Sequence, residues 1–377
     1  MICLKGQRLS RLSIILGICL ISFSLSENVT AEERPWIKIR GVYGGMPVLP
    51  EGKQLKDFGI NAVWVGSGSV TQKLAEQLHV QGVRLFAEFN TMHNAAFQKD
   101  HPDARPVGID GKVCPPPDGW QGVCPTYPEY RKDRMNQFRK TLETAEIDGI
   151  WLDYHHSHAS WEQAVPNMPK TCFCERCVAL FCESSNLEIP KTLTTAERNL
   201  WIWNSHRPEW VKWRCGVFTD WVREFRQIVD KTRPNALLGT FHNPWSVEDY
   251  DGAILNLLAI DLRSQSRYLD VLSIMPYHAR FGHANDPAWI SRQTSQLADY
   301  LNLPKDSSGK PEIWPIVQLA DWGEPVLTSQ IPEILDHATR KPASGVTIFH
   351  VGGLNQNPDR IKALGNEYRL MMPAKRD

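Results

Sequence analysis

Asp148-Gly149-Ile150-Trp151-Leu152-Asp153-Tyr154 is a short apolar segment that ends in a carboxylate and a tyrosine. Nearly continuous apolar runs of this length are typical of parallel strands that are buried on both faces. An ionisable Asp at the end of so apolar a strand must be solvated or paired, because burial of an unpaired charge is costly. We therefore expect Asp153 to lie at the open edge of a parallel sheet.

Similar runs, rich in β-branched and aromatic residues, recur along the chain. The eight runs lie at 36–43, 60–65, 83–89, 147–154, 236–242, 271–277, 312–319 and 345–351. Segments with helical patterns separate them, at 50–58, 70–80, 128–145, 209–231, 247–267, 287–301, 329–340 and 358–370. Strand and helix alternate eight times, which predicts an α/β fold, a single (β/α)8 (TIM) barrel over residues 32–377.

Two of the predicted connections from strand to helix are long. They cover residues 91–127 after the third strand and 155–208 after the fourth. Loops of this length in a compact barrel are more often functional than idle, and the carboxyl ends of barrel strands form the active face. We expect these two loops to wall a cleft over one side of the barrel mouth.

The first 31 residues have the layout of a secretory signal peptide. Three basic residues precede an apolar run at 12–25, and Val29-Thr30-Ala31 offers small residues at a cleavage site. The apolar run is too short for a comfortable membrane span, and no later segment is long and apolar enough for one. We expect a secreted or periplasmic protein, with an uncleaved anchor as the alternative.

Composition narrows the classes of function. Charge is balanced, with 42 Lys+Arg against 42 Asp+Glu, and 42% of the residues are hydrophobic. This composition excludes a disordered chain and argues against a nucleic-acid partner, because no basic excess is present to neutralise phosphates. The 14 tryptophans exceed what the core needs, and surface Trp stacks on sugar rings.

Seven cysteines follow the predicted signal peptide. In an oxidising compartment disulfides are the first expectation, and Cys114 and Cys124 bracket a proline-rich loop that a disulfide could close. The motif Cys172-x-Cys174-x-x-Cys177 is ambiguous. It could form disulfides or hold zinc, with Cys182 or a histidine as a fourth ligand.

The segment 148–154 also resembles the fourth-strand motif of many barrel glycoside hydrolases, in which such an Asp lies at the sugar-binding centre. The likeness continues through Trp161 and the cysteine-rich stretch 172–181, and through 275–277, 315–318 and 345–349. These motifs are similar to those of poorly characterised glycoside-hydrolase-like (β/α)8 barrels and cover most of the chain. The resemblance implies an enzyme that cleaves an oligo- or polysaccharide and uses no cofactor.

Glycoside hydrolysis needs two carboxyl groups that flank the scissile bond. Asp153 is the first candidate, as nucleophile or as charge stabiliser. Its partner, the proton donor, is expected to be Glu88 or Asp321. Glu88 shares strand parity with Asn90, so both can point into the barrel, and Asp321 closes the seventh strand directly before Trp322.

Polar and aromatic residues at the ends of several strands are expected to bind substrate. These residues are Asn90, His155, His156, His242, Trp245, Tyr277, Gln318, Trp322 and His350. Neutral histidines can hydrogen-bond sugar hydroxyls, and aromatic rings can stack on sugar faces.

Two alternatives stay open. The fifth strand ends in His242-Asn243, without the carboxylate that the resembling families often have there, so the barrel could bind carbohydrate without cleaving it. It could also be a metal-dependent hydrolase with Asp153 and the histidines of 155–158 as ligands. Against the metal, the first strand lacks the pair of histidines that barrel metallohydrolases usually place there.

Overall fold

The computed structural model describes residues 36–373, so the predicted signal peptide lies outside the described residues. Nine strands occur in this part of the chain: β1 (Ile39–Tyr43), β2 (Ala62–Gly66), β3 (Arg84–Asn90), β4 (Gly149–Asp153), β5 (Leu237–His242), β6 (Val271–Ile274), β7 (Glu312–Ile313), β8 (Ile316–Gln318) and β9 (Gly345–Phe349). All of their pairings are parallel.

Helices lie between the strands. Those of residues 36–373 are α1 (Gln72–His79), α2 (Ala95–Asp100), α3 (Pro128–Thr144), α4 (Glu175–Ser185), α5 (Thr195–Ser205), α6 (Arg207–Thr232), α7 (Asp249–Asn256), α8 (Leu262–Gln265), α9 (Ala288–Leu301), α10 (Ile331–Thr339), α11 (Val351–Gln356) and α12 (Pro358–Leu370). Among these described helices, none is long and apolar enough to traverse a lipid bilayer.

The strands follow one another in a single curled sheet with the order β7-β6-β5-β4-β3-β2-β1-β9-β8. Helices connect neighbouring parallel strands, as in TIM-like α/β folds. The two strands at the ends of this order, β7 and β8, are separated in the chain only by Trp314 and Pro315. The predicted parallel α/β architecture is therefore confirmed.

Large aromatic rings pack together on the face that the curled sheet encloses. Trp64 and Phe86 have ring centroids 4.5 Å apart, Phe86 and Trp151 4.7 Å, and Trp151 and Trp314 5.6 Å. Glycines on adjacent strands make room for these rings, since a Cβ atom at Gly239 would lie 2.3 Å from Trp151. We call Trp64, Phe86, Trp151 and Trp314 the aromatic layer.

The carboxylates of the predicted site come from the same strands, one step higher. Glu88 follows Phe86 by two residues on β3, and Asp153 follows Trp151 by two residues on β4. Because side chains alternate along a strand, residues two apart share a face. The pairing of Asn90 with Asp153 aligns the carboxyl ends of the two strands.

The helices depart from the sequence prediction mainly in the long loops. The stretches 91–127 and 155–208 contain α2, α4 and α5. The capping box of Thr194 and Glu197 that begins α5 was a readable signal. The helix predicted at 247–267 is divided into α7 and α8, while those at 128–145 and 358–370 are confirmed as α3 and α12.

Candidate active site

Asp153 lies at the carboxyl end of β4 and is buried, with 8% of its surface exposed. Its Oδ1 accepts a hydrogen bond of 2.8 Å from the backbone N–H of Tyr154. Burial raises the pKa of Asp153 to about 7, because the charged carboxylate loses its hydration, and the Tyr154 hydrogen bond opposes this rise. The group therefore titrates near neutral pH.

Two glutamates share this environment. Burial and the charge of Asp153 raise the pKa of Glu88 to about 8. Burial and Asp153 also raise the pKa of Glu162 to about 8, against the opposing effect of Arg280. Because Asp153 perturbs both glutamates, the three carboxyl groups belong to one poorly solvated site. We call Glu88, Asp153 and Glu162 the carboxyl cluster.

Glu162 was not among the residues predicted from the sequence. It lies between β4 and α4, in a loop without regular structure, where no strand parity indicates its direction. The only available signal was its position directly after Trp161, inside the long loop that was expected to wall the cleft. Its backbone carbonyl accepts a hydrogen bond of 2.5 Å from Arg280 Nε, which fixes the loop beside the mouth.

A group of aromatic side chains lies near the carboxyl cluster, because burial and then the charges of Asp153 and Glu162 raise the pKa of Tyr43 and Tyr277. Tyr277 and Phe349 have ring centroids 4.7 Å apart, and Trp322 lies 5.2 Å from Phe349. Tyr43 stacks on Phe349 at 5.7 Å. Arg280 places its guanidinium 4.5 Å from the Trp322 ring. The predicted substrate-binding residues Tyr277 and Trp322 thus lie in one aromatic wall.

A second aromatic group contains residues from both long loops. Trp120 lies 4.2 Å from Tyr154, 4.8 Å from His93 and 5.6 Å from His156, measured between ring centroids. The structure therefore brings the predicted residue His156 beside Trp120 and Tyr154. Half-buried rings of this kind present flat apolar faces, which suit the C–H faces of sugars.

Two polar atoms in these walls lack partners. Within the described residues, the buried hydroxyl of Tyr277 and Nε2 of His156 make no hydrogen bond. Burial lowers the pKa of His156 to about 4, so its ring is neutral at pH 7. Buried polar groups are normally satisfied, so unpaired ones beside a cluster of carboxyl groups indicate a place for a polar ligand.

Asp321 is not brought into the carboxyl cluster. Its carboxylate accepts hydrogen bonds from Arg360 Nη2 at 2.7 Å and from the backbone N–H of Val326 at 2.9 Å. Both interactions lower the pKa of Asp321. A carboxyl group that is held ionised by an arginine is poorly suited to donate a proton, so this placement disfavours the predicted role.

Several other predicted residues are engaged in holding the loops. His155 Nε2 donates to the Phe218 carbonyl at 2.9 Å, and His350 Nδ1 accepts from Gly352 N–H at 3.0 Å and caps α11. Gln318 Nε2 donates to the carbonyls of Ala320 and Trp322 at 2.9 and 2.8 Å. Asn90 Oδ1 accepts from His93 N–H at 3.0 Å.

His242 and Trp245 border a different space. Both line a cavity of about 260 Å³ that also contacts Ile274 of β6 and Leu297 of α9. His242 Nδ1 donates to the Asn243 carbonyl at 2.9 Å, and burial lowers the pKa of His242 to about 4. Trp245 lies 6.1 Å from Trp161. The lining of this cavity includes no residue of the carboxyl cluster.

The histidines after β4 are not arranged around Asp153 as metal ligands. His155, His156 and His158 each hydrogen-bond a backbone carbonyl. Within residues 36–373, the only group of three or more His, Cys, Asp or Glu side chains that could share an ion consists of cysteines. The geometry thus gives no support to a catalytic metal held by Asp153 and these histidines.

The described structure does not contain the disulfide expected between Cys114 and Cys124. All seven cysteines of the described chain carry free thiols. Cys124 instead lies beside the 172–177 motif, with its Sγ 3.7 Å from that of Cys174 and 3.6 Å from that of Cys177. The sequence could not reveal this, because Cys124 belongs to a different loop.

Known structures were compared with this fold, and glycoside hydrolases share it. The glycoside hydrolase domain of PgaB (BpsB) from Bordetella bronchiseptica matches 89% of this chain and 99% of its own, with a TM-score of 0.65 and 14% identity. The chain therefore shares the TIM-like fold of these enzymes.

Two further solved structures match this fold, again with low sequence identity. The catalytic domain of β-amylase from Paenibacillus polymyxa covers 88% of this chain and 98% of its own, with a TM-score of 0.58 and 12% identity. A β-galactosidase from Marinomonas ef1 covers 87% of this chain but 58% of its own, with a TM-score of 0.59 and 14% identity. No protein-family model and no curated protein sequence matches the chain.

Proposed function

We propose that the protein is a glycoside hydrolase that cleaves an oligo- or polysaccharide with a carboxyl pair at the carboxyl ends of its strands. The observation that carries the proposal is the carboxyl cluster, in which burial and the charge of Asp153 raise the pKa of both Glu88 and Glu162. Glycoside hydrolysis requires one carboxylate and one carboxylic acid at the same pH, and neighbouring groups with separated pKa values provide both.

We assign the carboxylate role to Asp153 and the proton-donor role to Glu162. The backbone N–H of Tyr154 donates to Asp153 and favours its ionised form, whereas burial and the charge of Asp153 favour the protonated form of Glu162. Glu88 lies one step lower on its strand, in register with Trp151. A ligand that enters from the mouth meets Asp153 before Glu88, and we assign Glu88 to holding a proton beneath Asp153.

The walls supply sugar binding in this proposal. Trp322 and Trp120 stack on sugar faces. The unpaired Tyr277 hydroxyl and His156 Nε2 form hydrogen bonds with sugar hydroxyls. Trp322 is further held by Arg280, whose guanidinium lies over its ring. A small number of polar groups among apolar walls is typical of ligand sites.

The finer architecture and the cellular location are part of the same proposal. We infer that β7 and β8 are the two halves of one strand, which gives eight strands and a closed barrel. β7 pairs with β6 and β8 with β9, and Thr347 N–H donates to the carbonyl of the intervening Pro315 at 2.9 Å. We also propose that residues 1–31 direct export to the periplasm or the medium.

Leaving-group dependence tests the two catalytic assignments. A glycan needs a proton on its departing oxygen, whereas a nitrophenyl glycoside releases a stable anion without one. Glu162→Gln should therefore lower kcat/KM on the glycan by about 10²–10⁴-fold and affect the nitrophenyl substrate far less. Asp153→Asn should impair both substrates. The exposed Glu183→Gln, on α4, is the matched control.

The substrates come from a panel of polysaccharides and nitrophenyl glycosides, assayed by reducing-sugar and nitrophenol release. Equal losses of Glu162→Gln on both substrate types would remove Glu162 as the proton donor. If Glu88→Gln gave the selective loss instead, the roles of the two glutamates would be exchanged. Tight sugar binding by a wild type that turns over none of the bound sugars would identify a binding barrel.

A further inference from the structure

Cys124, Cys172, Cys174 and Cys177 lie together beside the mouth, and we call them the cysteine cluster. Their sulphur atoms are all within 4.8 Å of one another, and Cys124 Sγ lies 3.6 Å from Cys177 Sγ and 3.7 Å from Cys174 Sγ. A tetrahedral zinc site with Zn–S bonds of about 2.3 Å separates its sulphurs by about 3.8 Å. A disulfide would hold two of them at about 2.0 Å. The spacing fits a shared ion.

Hydrogen-bond donors surround the sulphur atoms. The backbone N–H of Val107 donates to Cys172 Sγ at 3.4 Å, and that of Cys177 donates to Cys174 Sγ at 3.5 Å. Thr126 Oγ1 lies 3.2 Å from Cys177 Sγ. Donors of this kind stabilise thiolate ligands and fix their direction, which is the role of the groups that surround bound metals.

A buried cation stands beside the cluster. Arg214 is 4% exposed and lines one small crevice together with Cys172 and Cys177. Its Nη2 donates to Ser157 Oγ at 2.8 Å and to the Leu257 carbonyl at 3.0 Å. Four thiolates around one Zn²⁺ leave two net negative charges, and a buried anion needs a nearby positive charge. Arg214 supplies that charge.

We propose that the cysteine cluster binds one structural Zn²⁺ that joins the two long loops of the mouth. Cys124 belongs to the loop after β3, and the other three cysteines follow β4. Four protein thiolates close the coordination sphere and leave no position for a water nucleophile, so the ion acts by holding structure. The joined loops carry Trp120 on one side and Glu162 on the other.

Metal content tests the proposal directly and needs no sugar substrate, so it is independent of the proposed function. The full chain, purified without chelator or added metal, should contain about one zinc per molecule by mass spectrometry. After removal of zinc, added Co²⁺ should give the visible absorption of a tetrahedral four-thiolate centre. Zinc removal should also make the loop segments 91–127 and 154–174 more sensitive to protease.

Cysteine variants test which residues bind the ion. Cys174→Ser should lose zinc and the four-thiolate cobalt spectrum, whereas Cys182→Ser, which alters a half-buried cysteine on α4 outside the cluster, should keep both. If Cys174→Ser does not fold, the zinc content and cobalt spectrum of the wild type still decide. Zinc-free wild-type protein, a disulfide within the cluster or one equivalent of iron in place of zinc would overturn the proposal.

Discussion

The aromatic layer and the carboxyl cluster both draw side chains from β3 and β4 and have opposite character. Phe86 and Trp151 are fully buried apolar rings, whereas Asp153 is a buried carboxyl group and Glu88 a half-buried one, each two residues further along its strand. Well-packed rings stabilise the fold, whereas buried carboxyl groups destabilise it, so such groups are typical of functional sites. The comparison shows that one strand contributes both to the packed core and to the candidate site. The two contributions come from residues two positions apart, which share a face of the strand.

Replacement of Asp153 should separate the effect on activity from the effect on stability most clearly. Asp153→Asn keeps the shape and the acceptor for Tyr154 N–H but removes the charge, so activity should fall by about 10³-fold or more. Because burial raises the pKa of Asp153 to about 7, the folded wild type loses stability as the pH rises from about 4, the ordinary pKa of aspartate, to about 7. The variant should therefore have the higher Tm at pH 8, by a margin that grows between about pH 4 and pH 7 and is constant above that.

Calorimetry at several pH values, beside the glycan assay, checks both halves of this prediction. A variant that loses activity and is also less stable at pH 8 would mean that Asp153 serves the fold as much as the site.

The pH dependence of kcat/KM tests the protonation states that we assign to Asp153 and Glu162. Below about pH 7 Asp153 holds a proton, and above about pH 8 Glu162 loses the proton that it must donate. We expect a bell-shaped profile with limbs near these two values. On nitrophenyl substrates, which need no proton donor, the wild type should already lack the alkaline limb, and a profile still bell-shaped there would assign the limb to another group.

Changes in the aromatic layer should have a smaller effect, and on stability alone. At Gly239 an added Cβ would approach Trp151 to 2.3 Å, and overpacking of a core costs about 1–3 kcal/mol. Gly239→Ala should lower the urea midpoint and keep the activity per folded molecule. Gly216→Ala, in α6 with no atom within 4 Å of the new Cβ, should instead stabilise by about 1 kcal/mol.

The strands and most helices could be predicted because their signals are local. Apolar runs and strand parity predict β3 and β4, and parity also aligns Glu88 with the interior. The division of the helix predicted at 247–267 was not readable, since Ala259, between α7 and α8, adopts a left-handed backbone conformation that ordinary residues seldom take. The structure within the long loops was likewise missed where no periodicity extends over enough residues.

The sequence by itself determined the parallel α/β fold, the position of Asp153 at a strand end and the aromatic character of the mouth, because these follow from periodicity within short segments. Only the tertiary structure decided which side chains meet. It pairs Asp321 with Arg360, 39 residues later, adds Glu162 to the carboxyl cluster, and brings Cys124 to a motif 50 residues away. Contacts between distant segments depend on how loops pack over the strand ends, and no local pattern encodes that packing.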